Sequence, residues 1–167
     1  MNEPRTSAKL CLVSMGLVLL TTALACEPND ETPGLGLSGK ISQVPFTGWG
    51  FTNDTQEIFI ETRTWWAISH SATIWCAEVD GQLFIGSYGE EKKTWESNVA
   101  RDPDAKLRIA GKIYTVRITT VSNAALIASI DAAYTQKYDM AETFGDALPP
   151  WWYYRVTPRD PEVRDVR

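Results

Sequence analysis

The most informative segment for the fold is Thr73-Ile-Trp-Cys-Ala-Glu-Val-Asp-Gly-Gln-Leu-Phe-Ile-Gly-Ser-Tyr88. It contains two short runs rich in β-branched and aromatic residues, which favour strands. Between the runs stands Asp80-Gly81, a dipeptide typical of a tight hairpin turn, because such a turn needs positive φ at its centre. The sequence therefore predicts two antiparallel strands, at 73–79 and 82–88, joined by a two-residue turn.

Further strands and helices flank this hairpin. A stretch without Gly or Pro at 90–101 predicts one helix, and Asn123 predicts the N-terminal cap of another that runs to about Asp139. The order of elements is β-β-β-α-β-β-α-β. It predicts a mainly β fold with flanking helices (α+β), a small antiparallel barrel rather than a parallel βαβ sheet. The remaining runs with strand composition are 57–66, 106–110, 112–121 and 151–156.

Composition and charge exclude one class of function. The 167 residues carry 16 Lys+Arg and 21 Asp+Glu, a formal net charge of −5, and 44% of them are apolar. Length and composition are those of one globular domain. An acidic chain lacks the basic surface that neutralises phosphates, so we expect no nucleic-acid partner. Anionic lipids offer it no attraction either, so membrane attachment has to come from a lipid anchor alone.

The first 25 residues predict a secretory signal peptide. Basic residues precede an uncharged apolar run at 10–25 that is short for a transmembrane helix. Ala23 and Ala25 then stand three places and one place before Cys26, and this end resembles a bacterial lipobox, in which the cysteine is lipidated. Ordinary signal cleavage with an unmodified Cys26 is the alternative. Either way we expect export, and lipidation would hold the protein to a membrane of the bacterial cell envelope, on the periplasmic side.

The rest of the chain divides into three parts. Residues 26–48 are rich in Gly, Pro, Ser and acidic residues and predict a flexible tether. We expect the folded domain at 49–158 and a charged, disordered tail at 159–167. Once the signal is removed and Cys26 is acylated, Cys76 has no disulfide partner; a bridge between the two is open only where Cys26 stays unmodified.

Five segments together resemble a known family. Their order and spacing resemble the flavin-binding split β-barrel, the fold of pyridoxamine 5'-phosphate oxidase-like proteins and deazaflavin-dependent reductases. The resemblance covers about residues 57–158. It implies a small antiparallel split β-barrel that holds FMN or a related flavin in a groove, which two subunits of a homodimer usually form. The segments that carry it are 74–75, 80–85, 92–99, 102–109 and 111–114.

The resemblance also implies which residues would hold the cofactor. Ser87, Lys92 and Lys93 fall where the family gathers contacts to the flavin phosphate, and a helix N-terminus there favours an anion. Trp75 would form a wall for the ring. Arg63 flanks the entry to the hairpin and is a further candidate. Three of these residues also have a purely structural interpretation. The two lysines can be solvated residues at the start of a helix, and Ser87 can be a turn residue.

The sequence gives less evidence that other residues, such as the single histidine and the tryptophan pairs, have a functional role. His70, the single histidine, also flanks the hairpin, but it lies in a polar turn and is expected to be structural or exposed. The pairs Trp65-Trp66 and Trp151-Trp152 each place one ring on either side of a strand. One ring of each pair is therefore expected in the core and the other over a groove or an interface.

Two functions remain open at this point. The first is an oxidoreductase that binds FMN or a related flavin, and the second is a non-catalytic module in which the same barrel binds another small ligand or a partner. The sequence has no Gly-rich dinucleotide loop, no His/Cys metal cluster and no Ser-His-Asp arrangement that spacing supports. Retention of a flavin by the purified protein would separate the two functions.

Overall fold

A computed structural model describes residue 28 and residues 32–44, 48–145 and 148–159. Within these residues the chain forms three helices and seven strands, with a 3-10 turn at Gly50–Thr52. The helices are α1 (Thr94–Arg101), α2 (Ala124–Lys137) and α3 (Met140–Phe144). The strands are β1 (Lys40–Ile41), β2 (Glu57–Arg63), β3 (Ser69–Val79), β4 (Gln82–Tyr88), β5 (Asp104–Ile109), β6 (Lys112–Thr120) and β7 (Trp151–Pro158).

Six of the described strands close into a barrel. β2 pairs with β3 and β5, β4 with β3 and β7, and β6 with β5 and β7, each pair antiparallel. The β6–β7 pairing joins the two ends of the sheet and closes it. β1 adds a short parallel pair at the start of β6. The small antiparallel barrel with flanking helices that the sequence predicts is confirmed.

The turn of the central hairpin and the start of the long helix lie where the sequence places them. β4 pairs with residues 76–79 of β3, and the intervening Asp80 and Gly81 have φ of 52° and 78°, the positive values that the turn requires. α2 begins directly after Asn123, whose side chain accepts a hydrogen bond from a backbone N–H three residues on, at 3.0 Å. These local signals therefore act as predicted.

Two clusters of apolar side chains stabilise the fold, one inside the barrel and one outside it. The inner cluster is mainly aliphatic, and its members Ile85 and Leu107 are fully buried. The outer cluster is mainly aromatic and packs α2 against the barrel wall through Phe84 and Tyr134. The alternation of a strand explains the division, because on β4 Leu83 and Ile85 face inward while Phe84 faces outward.

The prediction for Trp65 and Trp66 is wrong. The Thr64 N–H donates to the Ile68 carbonyl at 2.9 Å and closes a turn, so β2 ends before the two indoles. They lie on that turn, 73% and 58% exposed. Successive side chains lie on opposite faces of a sheet only while the strand continues. Because the strand ends before Trp65, the two indoles are not divided between a buried and an exposed face.

The ends of three other elements differ from the prediction. α1 begins at Thr94, four residues later than expected, and β3 begins four residues earlier, at Ser69. β7 continues to Pro158. Within β7 the alternation expected for the second tryptophan pair holds, since Trp151 packs against the outer cluster and Trp152 against the inner one, but both rings are only partly buried and neither is a core residue.

Residues 32–44, inside the segment predicted to be a tether, lie against the barrel. Gly34 and Ser71 exchange two backbone hydrogen bonds of 2.9 Å. The Leu37 N–H donates to Glu61 Oε2 at 2.7 Å, and β1 follows with its pairing to β6. This part of the leader therefore has fixed contacts with the folded domain.

Several predictions concern residues outside the described part of the chain. They are the signal peptide at 1–25, the lipidated Cys26 and residues 160–167 of the tail. No helix among the described residues is long and apolar enough to span a membrane.

Candidate functional site

The barrel is split between β3 and β4. The two strands pair from Cys76 and Ile85 to their turn. Residues 69–75 of β3 stay beside β2, whereas β4 beyond Ile85 follows β7 to Tyr88. The strands diverge, and between them lies a groove of about 700 Å³, lined by β3, the end of β4, the start of α1 and the first residue of β7. We call this space the wedge groove.

The leader covers part of the opening. Ser71 directs its backbone N–H and carbonyl to Gly34, on the edge of β3 opposite to β2. Thr32 and Pro33, just before Gly34, line the wedge groove. A segment that precedes the barrel in sequence therefore supplies one of the groove's walls.

The structure brings together four of the five residues predicted to bind a cofactor. Trp75, Ser87, Lys92 and Lys93 line the wedge groove. Arg63 does not, because it lies at the exposed end of β2, in the wall of a separate cavity of about 280 Å³. Arg63 is therefore apart from the other four.

A buried carboxylate, Glu96 on α1, organises the end of the wedge groove. Its side chain is 1% exposed, and burial by itself would raise its pKa. The hydrogen bonds that it accepts outweigh burial and lower the pKa of Glu96 below its usual value of 4.5. Glu96 is therefore ionised at neutral pH. Its donors are Tyr154 Oη at 2.5 Å, the Lys93 N–H at 2.7 Å, Ser87 Oγ at 2.7 Å and Lys92 Nζ at 3.2 Å.

These contacts engage two residues that were expected at a flavin phosphate. Ser87 donates its hydroxyl proton to Glu96. Lys92 also donates to Tyr154 Oη at 3.1 Å, and its Nζ lies 3.7 Å from the centroid of the Trp152 ring. The positive charge of Lys92 is thus balanced by a carboxylate and held over an aromatic face.

Lys93 is the remaining candidate for an anion. Its backbone N–H is used by Glu96, and its Nζ lies 5.0 Å from the centroid of the Tyr88 ring. The carboxylate of Glu57 lines the same groove. Charge-assisted hydrogen bonds are the strong contacts of a phosphate. With Ser87 and Lys92 engaged by Glu96, the Lys93 ammonium is the one cation of the groove that no carboxylate among the described residues pairs, so the arrangement around Glu96 suits the phosphate of FMN poorly.

Aromatic rings form the apolar wall of the wedge groove. The rings of Trp75 and Trp151 have centroids 6.2 Å apart and planes 25° apart. Tyr138 of the outer cluster stacks on Trp75 with a centroid distance of 4.2 Å and an angle of 6°, which fixes the plane of that indole. Gly86 makes room for Trp151, because a Cβ at this position would lie 2.9 Å from the indole and from the Tyr134 hydroxyl. Such a rigid wall suits a planar ring.

Three polar atoms of the groove lining are buried and have no hydrogen-bond partner among the described residues. They are His70 Nδ1, Thr73 Oγ1 and Trp151 Nε1. Buried polar atoms in native proteins are nearly always paired, and an unpaired one costs about 1–3 kcal/mol. Burial also lowers the pKa of His70 below 6.5, against the opposing effect of a backbone hydrogen bond, so the imidazole is neutral at pH 7. Three residues that line the groove thus carry uncharged hydrogen-bonding groups that no described residue satisfies.

Sequence reasoning missed Glu96, Tyr154 and Thr73 as parts of the site. Glu96 had a local signal, since it stands four residues after Lys92 and at the third position of α1, where a carboxylate commonly accepts from the N-cap backbone. Thr73 and Tyr154 carry no such signal, because their neighbours in the site come from distant strands. Among the described residues no group of three metal-ligating side chains occurs.

A bacterial family model matches residues 52–148, and its description is "Uncharacterized protein conserved in bacteria (DUF2255)". The chain belongs to this family. The matched range includes the central hairpin, α1 with Glu96, and α2, so most of the wedge groove of this DUF2255 chain is part of the family's domain. No curated protein matches the chain significantly.

Solved structures share the fold of this DUF2255 chain at low sequence identity. A conserved hypothetical protein from Mycobacterium tuberculosis has a TM-score of 0.52 at 13% identity, over 71% of this chain and 87% of its own. A protein of unknown function from Agrobacterium tumefaciens has a TM-score of 0.50 at 16% identity, over 63% and 49%. An FAD-binding protein from Mesorhizobium loti has a TM-score of 0.48 at 9% identity, over 65% and 82%. The split β-barrel implied by the resemblance is confirmed.

Proposed function

We propose that the wedge groove binds a planar aromatic small molecule, a ring of the flavin type, against the wall of Trp75 and Trp151. The observation that carries this proposal is that one groove is lined both by these two rings and by three residues with a buried, unpaired polar atom. A ligand with an aromatic face and a hydrogen-bonding edge satisfies both parts of the lining at once. The volume of the groove, about 700 Å³, lies in the range of about 300–1,000 Å³ that small-molecule sites occupy.

The unpaired atoms indicate which hydrogen-bonding groups the edge of the ligand should carry. The indole N–H of Trp151 donates, the hydroxyl of Thr73 donates or accepts, and the neutral imidazole of His70 does either. A heterocycle with adjacent carbonyl and N–H groups, such as the dione end of a flavin ring, offers matching partners. Each such pairing removes the cost of an unpaired atom and adds a hydrogen bond.

FMN, the cofactor that the fold family implies, fits this groove at its ring and not at its phosphate. The ring end has the aromatic wall and the unpaired atoms, whereas Glu96 engages the donors expected at the phosphate end. A flavin ring, when bound, would supply redox chemistry, and the residues of the chain would bind and orient it. If the bound ring is redox-active, the proposed function is that of an oxidoreductase. If it is any other ring, the proposed function is non-catalytic binding.

We propose further that the protein acts outside the cytoplasm, held to a membrane through lipidated Cys26. The signal-like residues 1–25 and the small residues before Cys26 support this proposal. Mass spectrometry of the purified mature chain tests it. We expect a chain that begins at Cys26 and carries acyl groups; one that begins at an unmodified Cys26 would leave export without an anchor.

A fluorescence titration tests ring binding. Purified full-length chain is added to riboflavin, and quenching of the flavin is followed for the native protein and for Trp75→Ala and Trp65→Ala. We expect saturable quenching by the native protein and, for Trp75→Ala, affinity weaker by about tenfold or more, since stacking on an aromatic wall contributes about 1–3 kcal/mol. Trp65→Ala, the same change at an exposed indole outside the groove, should bind like the native protein.

Two results would contradict the proposal. One is the lack of saturable quenching by the native protein. The other is equal affinity of the native protein and a folded Trp75→Ala variant. Because removal of a large side chain can perturb folding, Thr73→Val serves as a second variant, and its far-ultraviolet circular dichroism is compared with that of the native protein.

A further inference from the structure

The charges at the wedge groove cancel one another. Lys92 and Lys93 bring two ammonium groups, Glu57 lines the groove with one carboxylate, and Glu96 lies behind Lys92 with another. His70 is neutral at pH 7 because burial lowers its pKa. The charged groups of the groove lining, taken together with Glu96, are therefore two positive and two negative.

Glu96 also uses three of the donors with which the start of α1 could hold an anion, and leaves the Lys93 ammonium. The Ser87 hydroxyl, the Lys93 N–H and the Lys92 ammonium all donate to this one carboxylate, at 2.7, 2.7 and 3.2 Å. A phosphate placed beside them would compete with Glu96 for each donor and would stand close to its negative charge. An interaction of this kind is unfavourable where burial reduces screening.

We infer that Glu96 makes the wedge groove selective for ring ligands without a phosphate group, so that a neutral flavin such as riboflavin binds in preference to FMN. This inference rests on the proposed function and names the ligand class of the same site. Glu96 acts here as a specificity-determining residue, because it engages the donors that a phosphate would need. The ring itself would contact the aromatic wall and the uncharged atoms of His70, Thr73 and Trp151.

Paired titrations with riboflavin and FMN test the inference. The two ligands share one ring and differ in the phosphate, so the ratio of their dissociation constants isolates its effect. For the native full-length chain we expect riboflavin to bind about tenfold more tightly or better, the factor that corresponds to one charge-assisted hydrogen bond.

Two variants change this ratio in opposite directions. Glu96→Gln removes the carboxylate charge and leaves Lys92 uncompensated, so affinity for FMN should rise relative to riboflavin by about tenfold. Lys92→Gln leaves the carboxylate uncompensated, so the preference for riboflavin should become larger. Glu78→Gln, which removes one negative charge at the β3–β4 turn and outside the groove, is the matched control and should leave the ratio unchanged.

The outcomes separate the inference from the proposed function. Similar affinities of the native chain for riboflavin and FMN would overturn the selectivity and leave the ring site in place. Binding of neither ligand would overturn the ring site itself. A Glu78→Gln variant that shifts the ratio as much as Glu96→Gln does would show that overall charge, and not Glu96, sets the preference. If Glu96→Gln fails to fold, a Lys92→Gln ratio equal to the native one would overturn the role of Glu96.

Discussion

The two halves of β3 differ in what surrounds them. Residues 76–79 have β4 beside them, and the inward side chain of Cys76 is fully buried in the inner cluster. Residues 69–75 have β2 on one edge, while on the other edge the leader pairs at Ser71. One continuous strand therefore has a closed half and an open half.

The unpaired polar atoms follow this division. His70 Nδ1, Ser71 Oγ and Thr73 Oγ1 all belong to the open half, and Trp151 Nε1 lines the wedge groove with His70 and Thr73. Where two strands stay paired, neighbouring side chains and backbone satisfy one another; where the strands part, polar atoms lose those partners while remaining buried. The opening of the sheet is therefore also the place where a ligand could form the most new hydrogen bonds.

The largest expected effect concerns packing in the closed half. Ile85 faces Cys76 across the closed pair and is fully buried, so Ile85→Ala should lower the free energy of unfolding by about 2–5 kcal/mol through lost burial and a cavity. Ile68→Ala makes the same change at the turn that precedes the open half, where Ile68 is 53% exposed. Urea unfolding measures both. An equal loss of unfolding free energy in the two variants would contradict the expected difference in packing between the two regions.

A smaller effect is expected from two threonines in contact with the open half. The Thr62 hydroxyl on β2 donates to the His70 carbonyl at 3.4 Å and accepts from Asn98 Nδ2 at 3.0 Å. Thr62→Val leaves that buried amide unpaired and should cost about 1–3 kcal/mol in unfolding free energy. Thr73→Val removes a hydroxyl that has no partner among the described residues, so the empty protein should lose no stability.

Ligand binding sharpens the same contrast between the threonines. In the riboflavin titration Thr73→Val should weaken binding, whereas Thr62→Val should leave the affinity near that of the native protein once folding is accounted for. Loss of stability in Thr73→Val as large as that in Thr62→Val would show that the Thr73 hydroxyl already has a partner.

The smallest expected effect is the pH dependence that Glu96 brings to the end of the groove. Hydrogen bonds from Tyr154, the Lys93 N–H, Ser87 and Lys92 outweigh burial and lower the pKa of Glu96 below 4.5. The stabilisation that this provides is present above the unfolded pKa and is lost as the pH falls through the folded pKa. Native stability should therefore decrease from about pH 5 downward, and Glu96→Gln should show a shallower decrease.

Urea midpoints at a series of pH values measure this slope, with Glu78→Gln as the control for loss of one carboxylate. An identical slope for Glu96→Gln and the native chain would mean that Glu96 does not titrate differently in the folded and unfolded protein.

Much of the site could be located from the sequence, but the burial and the hydrogen bonds of its charged groups could not. The resemblance placed Trp75, Ser87, Lys92 and Lys93 in one region, and the structure brings these four to one groove. Arg63 was placed with them on its position beside the hairpin, yet the structure puts it at the far end of β2. The position of a residue along a strand predicts which face of the sheet its side chain lies on. It does not predict which groove the side chain lines.

Elements with a local cause can be predicted from the amino-acid sequence. Asp80-Gly81 fixes the hairpin because its backbone accepts positive φ, and the period-two alternation of β4 divides its side chains between two clusters. Asn123 begins α2 because its side chain satisfies an end N–H. These signals act over a few residues and can be read directly.

The position of the opening in the sheet, and the residues that line it, depend on contacts between distant parts of the chain. The split depends on β4 leaving β3 for β7, and the burial and further hydrogen bonds of Glu96 depend on Ser87 of β4 and on Tyr154 from a strand far along the chain. Hydrogen-bond competition and desolvation depend on distances between such remote residues. The sequence therefore determined the barrel, and the folded arrangement determined the chemistry of its groove.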